Sequence, residues 1–148
     1  MIRIFFPFLT SFLSLHTLSA YEEMFEKTPV GEIKMIDLPE RTALEAKASG
    51  SYFQSDNGLF RKLFRYISSN DLAMTTPVEA DVNPGKMRFF VGAKDRSKNI
   101  SSTQIVEVRK IAPMKVVAIG VRGSYSMKRF MENKQKLDQW LDKEKKYE

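Results

Sequence analysis

From Gly31 to Phe53 apolar and polar residues alternate in two pieces separated by Leu38-Pro39-Glu40, the pattern of half-buried strands with a turn between them. Ile33 and Met35 share one side of the first piece. Leu44, Ala46 and Ala48 share one side of the second, and the alternation assigns Glu45 and Lys47 to the opposite, solvent-facing side. After Ser55-Asp56-Asn57-Gly58, which breaks the alternation and offers a helix cap, the period changes. Phe60, Leu63, Phe64 and Ile67 fall at i, i+3, i+4 and i+7, with Arg61, Lys62 and Arg65 interleaved, and Ser68-Ser69-Asn70 closes a predicted amphipathic helix. Ala73 to Ala80 then reads as extended, with Pro77 marking an edge or a bulge. Asn83-Pro84-Gly85-Lys86 carries the type II turn signature, and Met87 to Val91 returns as a strand.

The second half repeats the order. A polar loop, "DRSKNISSTQ", leads to strands around Ile105–Arg109 and Lys115–Gly120, with a bend at Ala112-Pro113. A second helix follows, with Met127, Phe130, Leu137, Trp140 and Leu141 on its apolar side and Lys134 interrupting that stripe. Strand, strand, helix, hairpin, then strand, strand, helix predicts an α+β fold of two β-β-α-β-β-like halves with two flanking helices. Counted this way, the second half is incomplete, lacking its closing hairpin.

Composition narrows the function classes. With 148 residues, 43% hydrophobic and 28% charged, the chain fits one globular domain with a core of its own. Residues 1–20 stand apart: Arg3 precedes a stretch from Ile4 to Leu18 without Asp, Glu, Lys or Arg, and the small residues Ser19 and Ala20 come before charge resumes at Glu22. Basic, apolar, small is the layout of a secretory signal peptide, so a domain over residues 21–148 is expected to be exported, to a periplasm or the exterior. The alternative is an N-terminal membrane anchor, although the apolar run is shorter than the roughly 20 residues of a spanning helix. Beyond the leader stand 23 basic and 18 acidic residues, a net charge of +5, and neither His nor Cys, since His16 is the chain's one histidine. That residue set argues against a structural zinc site and against Ser-His-Asp or Cys-His nucleophiles. The basic residues are mixed with acids along the chain, and no aromatic platform motif accompanies them, which argues against nucleic acid as a partner.

Five stretches carry a family resemblance: "LPERTALEAKASGSY", "GLFRKLFRYISSN", "LAMTTPVEADV", "KMRFFVG" and "VVAIGVRGSYS". In this order and spacing they resemble the SOUL, or haem-binding-protein, family, and Met-Thr-x-Pro-Val is the most specific of them. The resemblance implies a distorted antiparallel β-barrel with outer helices, an open groove beside the first helix, and a haem or other tetrapyrrole as ligand. It also implies a wider relation to effector-binding domains for apolar small molecules. The family continues past the second helix with further strands, so the resemblance implies that residues 21–148 are a C-terminally truncated or fragmentary version of the domain, or one whose barrel is left open.

A tetrapyrrole needs apolar surface for its ring and cations for its propionates. Phe60 and Phe64 lie one helical turn apart and can cover a porphyrin face; Arg61, Lys62 and Arg65 can reach carboxylates. Read singly, the phenylalanines are equally well core residues and the cations solvated ones. The candidate binding set is Phe60, Arg61, Phe64, Arg65 and Met74, with no catalytic residue and no protein-bound metal. Met74, Met127, Met131, Tyr66 and Tyr125 are chemically competent axial ligands, but without His or Cys a haem is expected to be held weakly and exchangeably, by apolar contact and propionate pairing. The expected function is thus an exported, non-catalytic tetrapyrrole-binding protein. The alternative is a small-molecule scavenger or hydrolase on the same scaffold, for which Glu45 is a conceivable acid.

Overall fold

The computed structural model describes residues 21–54 and 58–144. The expected leader, the Ser55-Asp56-Asn57 part of the helix cap and the last four residues lie outside them. The elements are β1 (Glu22–Glu23), β2 (Ile33–Leu38), β3 (Arg41–Lys47), α1 (Leu59–Ser69), β4 (Thr75–Thr76), β5 (Glu79–Asp81), β6 (Lys86–Phe90), β7 (Glu107–Ile111), β8 (Met114–Ile119) and α2 (Met127–Glu144), with a short 3₁₀ turn at Ala93–Asp95. The α+β class is as expected. The strands form three sheets, a four-stranded one in the order β5-β6-β3-β7 and two pairs, β2-β8 and β1-β4. Among the described residues they do not close into a barrel.

The alternating segments do not pair with each other as neighbours. β2 lies antiparallel to β8, and β3 lies antiparallel to β6 on one side and β7 on the other. Leu38 is opposite Met114, and Arg41 is opposite Ile111. Extending either register across the gap sets Pro39 opposite Pro113 and Glu40 opposite Ala112. β2–β3 and β7–β8 are therefore two long strands in one common register, creased where both carry a proline. Neither proline has an N–H to give the ladder, so the sheet breaks there and turns a corner.

The extended segment from Ala73 to Ala80 also divides at its proline. Thr75–Thr76 runs parallel to β1, and Glu79–Asp81 joins β6. The β5–β6 turn differs from the type II expectation, because Gly85 does not take the positive φ that the third residue of a type II turn requires. Gly85 in this turn donates to the Gly50 carbonyl at 2.7 Å, and a Cβ there would come within 2.6 Å of the Tyr52 nitrogen, so the close approach of two backbones requires glycine.

α1 lies on one face of the four-stranded sheet. Its buried side is Leu59, Leu63, Tyr66 and Ile67, set against Leu44, Ala46, Met87, Phe89, Val91 and Val106. The helix does face the sheet, but Leu59 and Tyr66 occupy the core positions that the sequence spacing gave to Phe60 and Phe64. Tyr66 can be buried because its hydroxyl donates to the Ser101 carbonyl at 2.7 Å; burial pushes the phenol's pKa up. The helix ends as expected, with the Asn70 amide and the Ser69 hydroxyl both donating to the Tyr66 carbonyl, at 2.8 and 3.0 Å. Behind it, the buried Asp95 carboxylate accepts from the Ala73 amide at 2.7 Å and meets Lys98 at 3.0 Å; these contacts hold its pKa below the usual range. α2 packs along β8, yet none of its residues is buried, and Lys134 pairs with Asp138 at 2.6 Å on its surface.

Candidate functional site

The residues that α1 leaves outside the core are the ones a ligand would meet. Phe60 and Phe64 are each 50% exposed and stack on one another, ring centroids 6.0 Å apart and planes 13° from parallel. Phe60 also meets the buried Phe89 edge-on at 5.2 Å, which anchors the exposed pair to the core. Beside this ridge runs a groove of about 530 Å³ lined by Tyr52, Phe53, Gln54, Phe60, Arg61 and Tyr125, with Leu59 and Met87 among its apolar surfaces. Its volume is in the range of small-molecule sites.

The groove continues into a second one of about 500 Å³ between β8, the loop after it and α2, and Phe53 and Tyr125 line both. Phe53 packs edge-on against Tyr52 at 5.3 Å and meets Phe130 of α2 at 6.1 Å. Together the two grooves make an apolar trough from the start of α1 to the face of α2. Its charged lining is Arg61 in the first groove and Arg129, Lys134 and Asp138 in the second. Tyr125 is 90% exposed where the two join.

The five sequence-predicted residues divide. Phe60 and Arg61 line the groove, and Phe64 extends its aromatic ridge through the stack with Phe60. Arg65 lies on the opposite flank of α1, where it lines a different depression with Lys62, Tyr66 and Ile105. At 100° per residue, Arg65 is turned away from Phe60 by more than a third of a turn. Met74 is half-buried against the core cluster and is not among the groove's lining residues. Tyr52, Phe53 and Met87 were not singled out from sequence. The adjacent aromatic pair Tyr52-Phe53 before the helix was the available signal, whereas Met87 reads simply as a strand residue.

The trough suits a tetrapyrrole in two of three respects: an aromatic surface of adequate extent, and an arginine at its edge for a propionate. It holds no imidazole or thiolate, since residues 21–148 contain neither His nor Cys. Tyr125 is the exposed side chain there able to approach an iron.

On the other face of the sheet Glu45 departs from its expected solvent exposure. It is 1% exposed, and its carboxylate accepts from the Arg88 Nε at 2.7 Å, with Arg109 at 3.3 Å. Burial would raise its pKa, but the hydrogen bond and charge of Arg88, helped by Arg109 and Lys86, bring it below the usual carboxylate range. A carboxylate so held stays ionised near neutral pH, which does not suit it to the general acid of the hydrolase alternative.

A search of curated proteins gives no match to this chain. A model of the family described as SOUL heme-binding protein matches residues 21–148, covering both the α1 trough and the sheet that carries it. The chain belongs to the SOUL heme-binding protein family.

Proposed function

We propose that this protein binds a haem or related tetrapyrrole in the trough beside α1, without catalysing a reaction on it. The observation that carries the reading is the exposed, stacked Phe60–Phe64 pair at the edge of a groove containing Arg61. Two large aromatic rings held half in water, while Leu59 and Tyr66 fill the core, are explained by a flat apolar partner. In this reading the macrocycle lies along Phe60, Phe53 and Tyr125, and Arg61 pairs with a propionate. Arg65, on the other flank, assists only where a propionate crosses the helix. Bound haem would supply the iron's redox and ligand chemistry; the protein's part is to shield one ring face and hold the carboxylates. Without imidazole the complex is weak and exchangeable, as suits a carrier.

The creased pair β2–β3 with β7–β8 is read as one wall of the distorted barrel that the family resemblance implies. Export is part of the same proposal, supported by the order of Arg3, the charge-free run to Leu18 and Ser19-Ala20.

The test is a hemin titration of the purified protein followed by the Soret band, with Phe64→Ala, Arg61→Ala and Arg65→Ala in parallel. One-to-one saturation is expected, weakened roughly tenfold, about 1.4 kcal/mol, by Phe64→Ala and by Arg61→Ala, and less by Arg65→Ala. Non-saturable uptake, or binding indifferent to all three changes, overturns the trough as the site. A bis-imidazole spectrum from residues 21–148 would overturn the proposed mode of holding the iron.

A further inference from the structure

We infer a second ligand site, for a small organic carboxylate, in the charged cleft on the face of the four-stranded sheet opposite α1. Alternate residues of the strands build it. Leu44, Ala46, Met87 and Phe89 point to α1, so Arg41 and Glu45 of β3 and Arg88 of β6 point the other way, with Glu79 and Asp81 of β5 and Arg109 of β7 beside them. The cleft measures about 560 Å³ and is completed at the crease by Leu38, Ile111, Ala112, Met114 and Val116. It thus has a charged end and an apolar end, the layout of a pocket that fixes an amphiphilic ligand by its head group.

Its charges do not balance. On this face of the sheet Arg41, Lys47, Lys86, Arg88 and Arg109 stand against Glu45, Glu79, Asp81 and Glu107, which leaves one positive charge in excess. Arg88 is fully engaged, bonded to Glu45 at 2.7 Å, to Glu79 at 2.5 Å and to Asp81 at 2.8 Å. Arg41 is not. Its side chain is 2% exposed and makes two long bonds, to the Pro39 carbonyl at 3.2 Å and Glu79 at 3.3 Å, while its Nε has no acceptor. A buried guanidinium nitrogen without an acceptor is a rare and unfavourable arrangement, and a ligand oxygen relieves it. Arg109, 46% exposed at the same cleft, reaches Glu45 and Glu107 only at 3.3 and 3.7 Å and is placed to turn toward an incoming carboxylate. One surplus charge, one unanswered buried donor and an apolar wall specify a monocarboxylate with a short hydrocarbon body.

The test uses octanoate with the full-length protein, by calorimetry and by NMR shifts. Saturable one-to-one binding is expected, with octanol and octyltrimethylammonium at least tenfold weaker. Arg109→Gln, a half-exposed change, should weaken octanoate at least tenfold and leave hemin binding unaltered, while Phe64→Ala leaves octanoate binding unaltered. Absence of saturation, preference for the cation, indifference to Arg109→Gln, or displacement of octanoate by hemin would each overturn this site. Hemin and octanoate report on opposite faces of the sheet, so failure of one does not entail failure of the other.

Discussion

The two faces of the four-stranded sheet are made from neighbouring residues of the same strands, yet they are held together by different physics. Under α1, Leu44, Ala46, Met87 and Phe89 meet Leu59, Leu63 and Ile67 in a core without charge. On the reverse, Glu45 and Arg88 sit at a directly paired position of the β3–β6 ladder, shielded from water, and every side-chain hydrogen bond of these two residues is to a charged partner. The apolar face tolerates imperfect partners, because burial is non-directional. The charged face does not, since Glu45 and Arg88 were stripped of water and depend on specific neighbours. The exposed Phe60–Phe64 ridge borders the first face, and the arginine-rich cleft belongs to the second.

The sharpest way to break this contrast is Arg88→Met. It leaves Glu45 buried without its nearest cation and is expected to remove about 3–5 kcal/mol of stability in urea unfolding. Glu45→Gln combined with Arg88→Met should recover part of that loss. A loss below about 1 kcal/mol, as for an exposed pair, would mean that water reaches Glu45 and that the faces are alike.

On the apolar face Leu63→Ala is expected to remove about 2–5 kcal/mol, depending on how far the core closes over the gap. Leu137→Ala on α2, which has no buried residue, should cost under about 1 kcal/mol by the same measurement. Equal losses would show α2 to be as firmly packed as α1.

Acid acts on the charged face and, behind α1, on Asp95. Glu45, Asp81 and Asp95 have pKa values lowered from the ordinary 4.5 and 3.8, so the folded form holds their protons less tightly than the unfolded chain does. Their contribution is complete above the ordinary carboxylate range and is lost as the pH falls below it. Chemical denaturation from pH 7 to 3 should show stability falling on the acid side in the wild type and falling less in Glu45→Gln/Arg88→Met. Identical pH profiles would place the acid sensitivity elsewhere.

A small effect is expected at the ridge as well. Phe64→Ala removes one stacked pair that is half in water, so unfolding should change by only about 0.5–1.5 kcal/mol. The same variant should lose roughly tenfold in hemin affinity. A large stability loss with unchanged hemin binding would return Phe64 to the core.

Much of this contrast was legible in the sequence, because alternation sorts strand residues into faces. It placed Glu45 opposite Leu44 and Ala46 correctly. It did not show that Glu45 is buried, since burial depends on what covers a face, and here that is Arg88 and the β5 carboxylates, brought together only by strand pairing. The α1 helix, its end at Asn70 and the breaks at Pro39, Pro77 and Pro113 followed from local chemistry. The buried side of α1 was misassigned by a fraction of a turn, because Phe60 and Phe64 match the helical period as well as Leu59 and Tyr66 do. The rest of the trough comes from Tyr52-Phe53, Met87 and Tyr125, which only the fold gathers. Pairings were the least legible: nothing local says that Ile33–Leu38 seeks Met114–Ile119, more than seventy residues away.

The facing prolines at the crease have a mechanical consequence. Between Leu38 and Arg41, and between Ile111 and Met114, the two strands spend the same number of residues crossing the gap. Six residue pairs on one side and five on the other therefore keep one count. A slip on either side alone would need a bulge at the corner, and a slip of both would turn every side chain on the moving strands to the wrong face. The shared count locks the corner against shear.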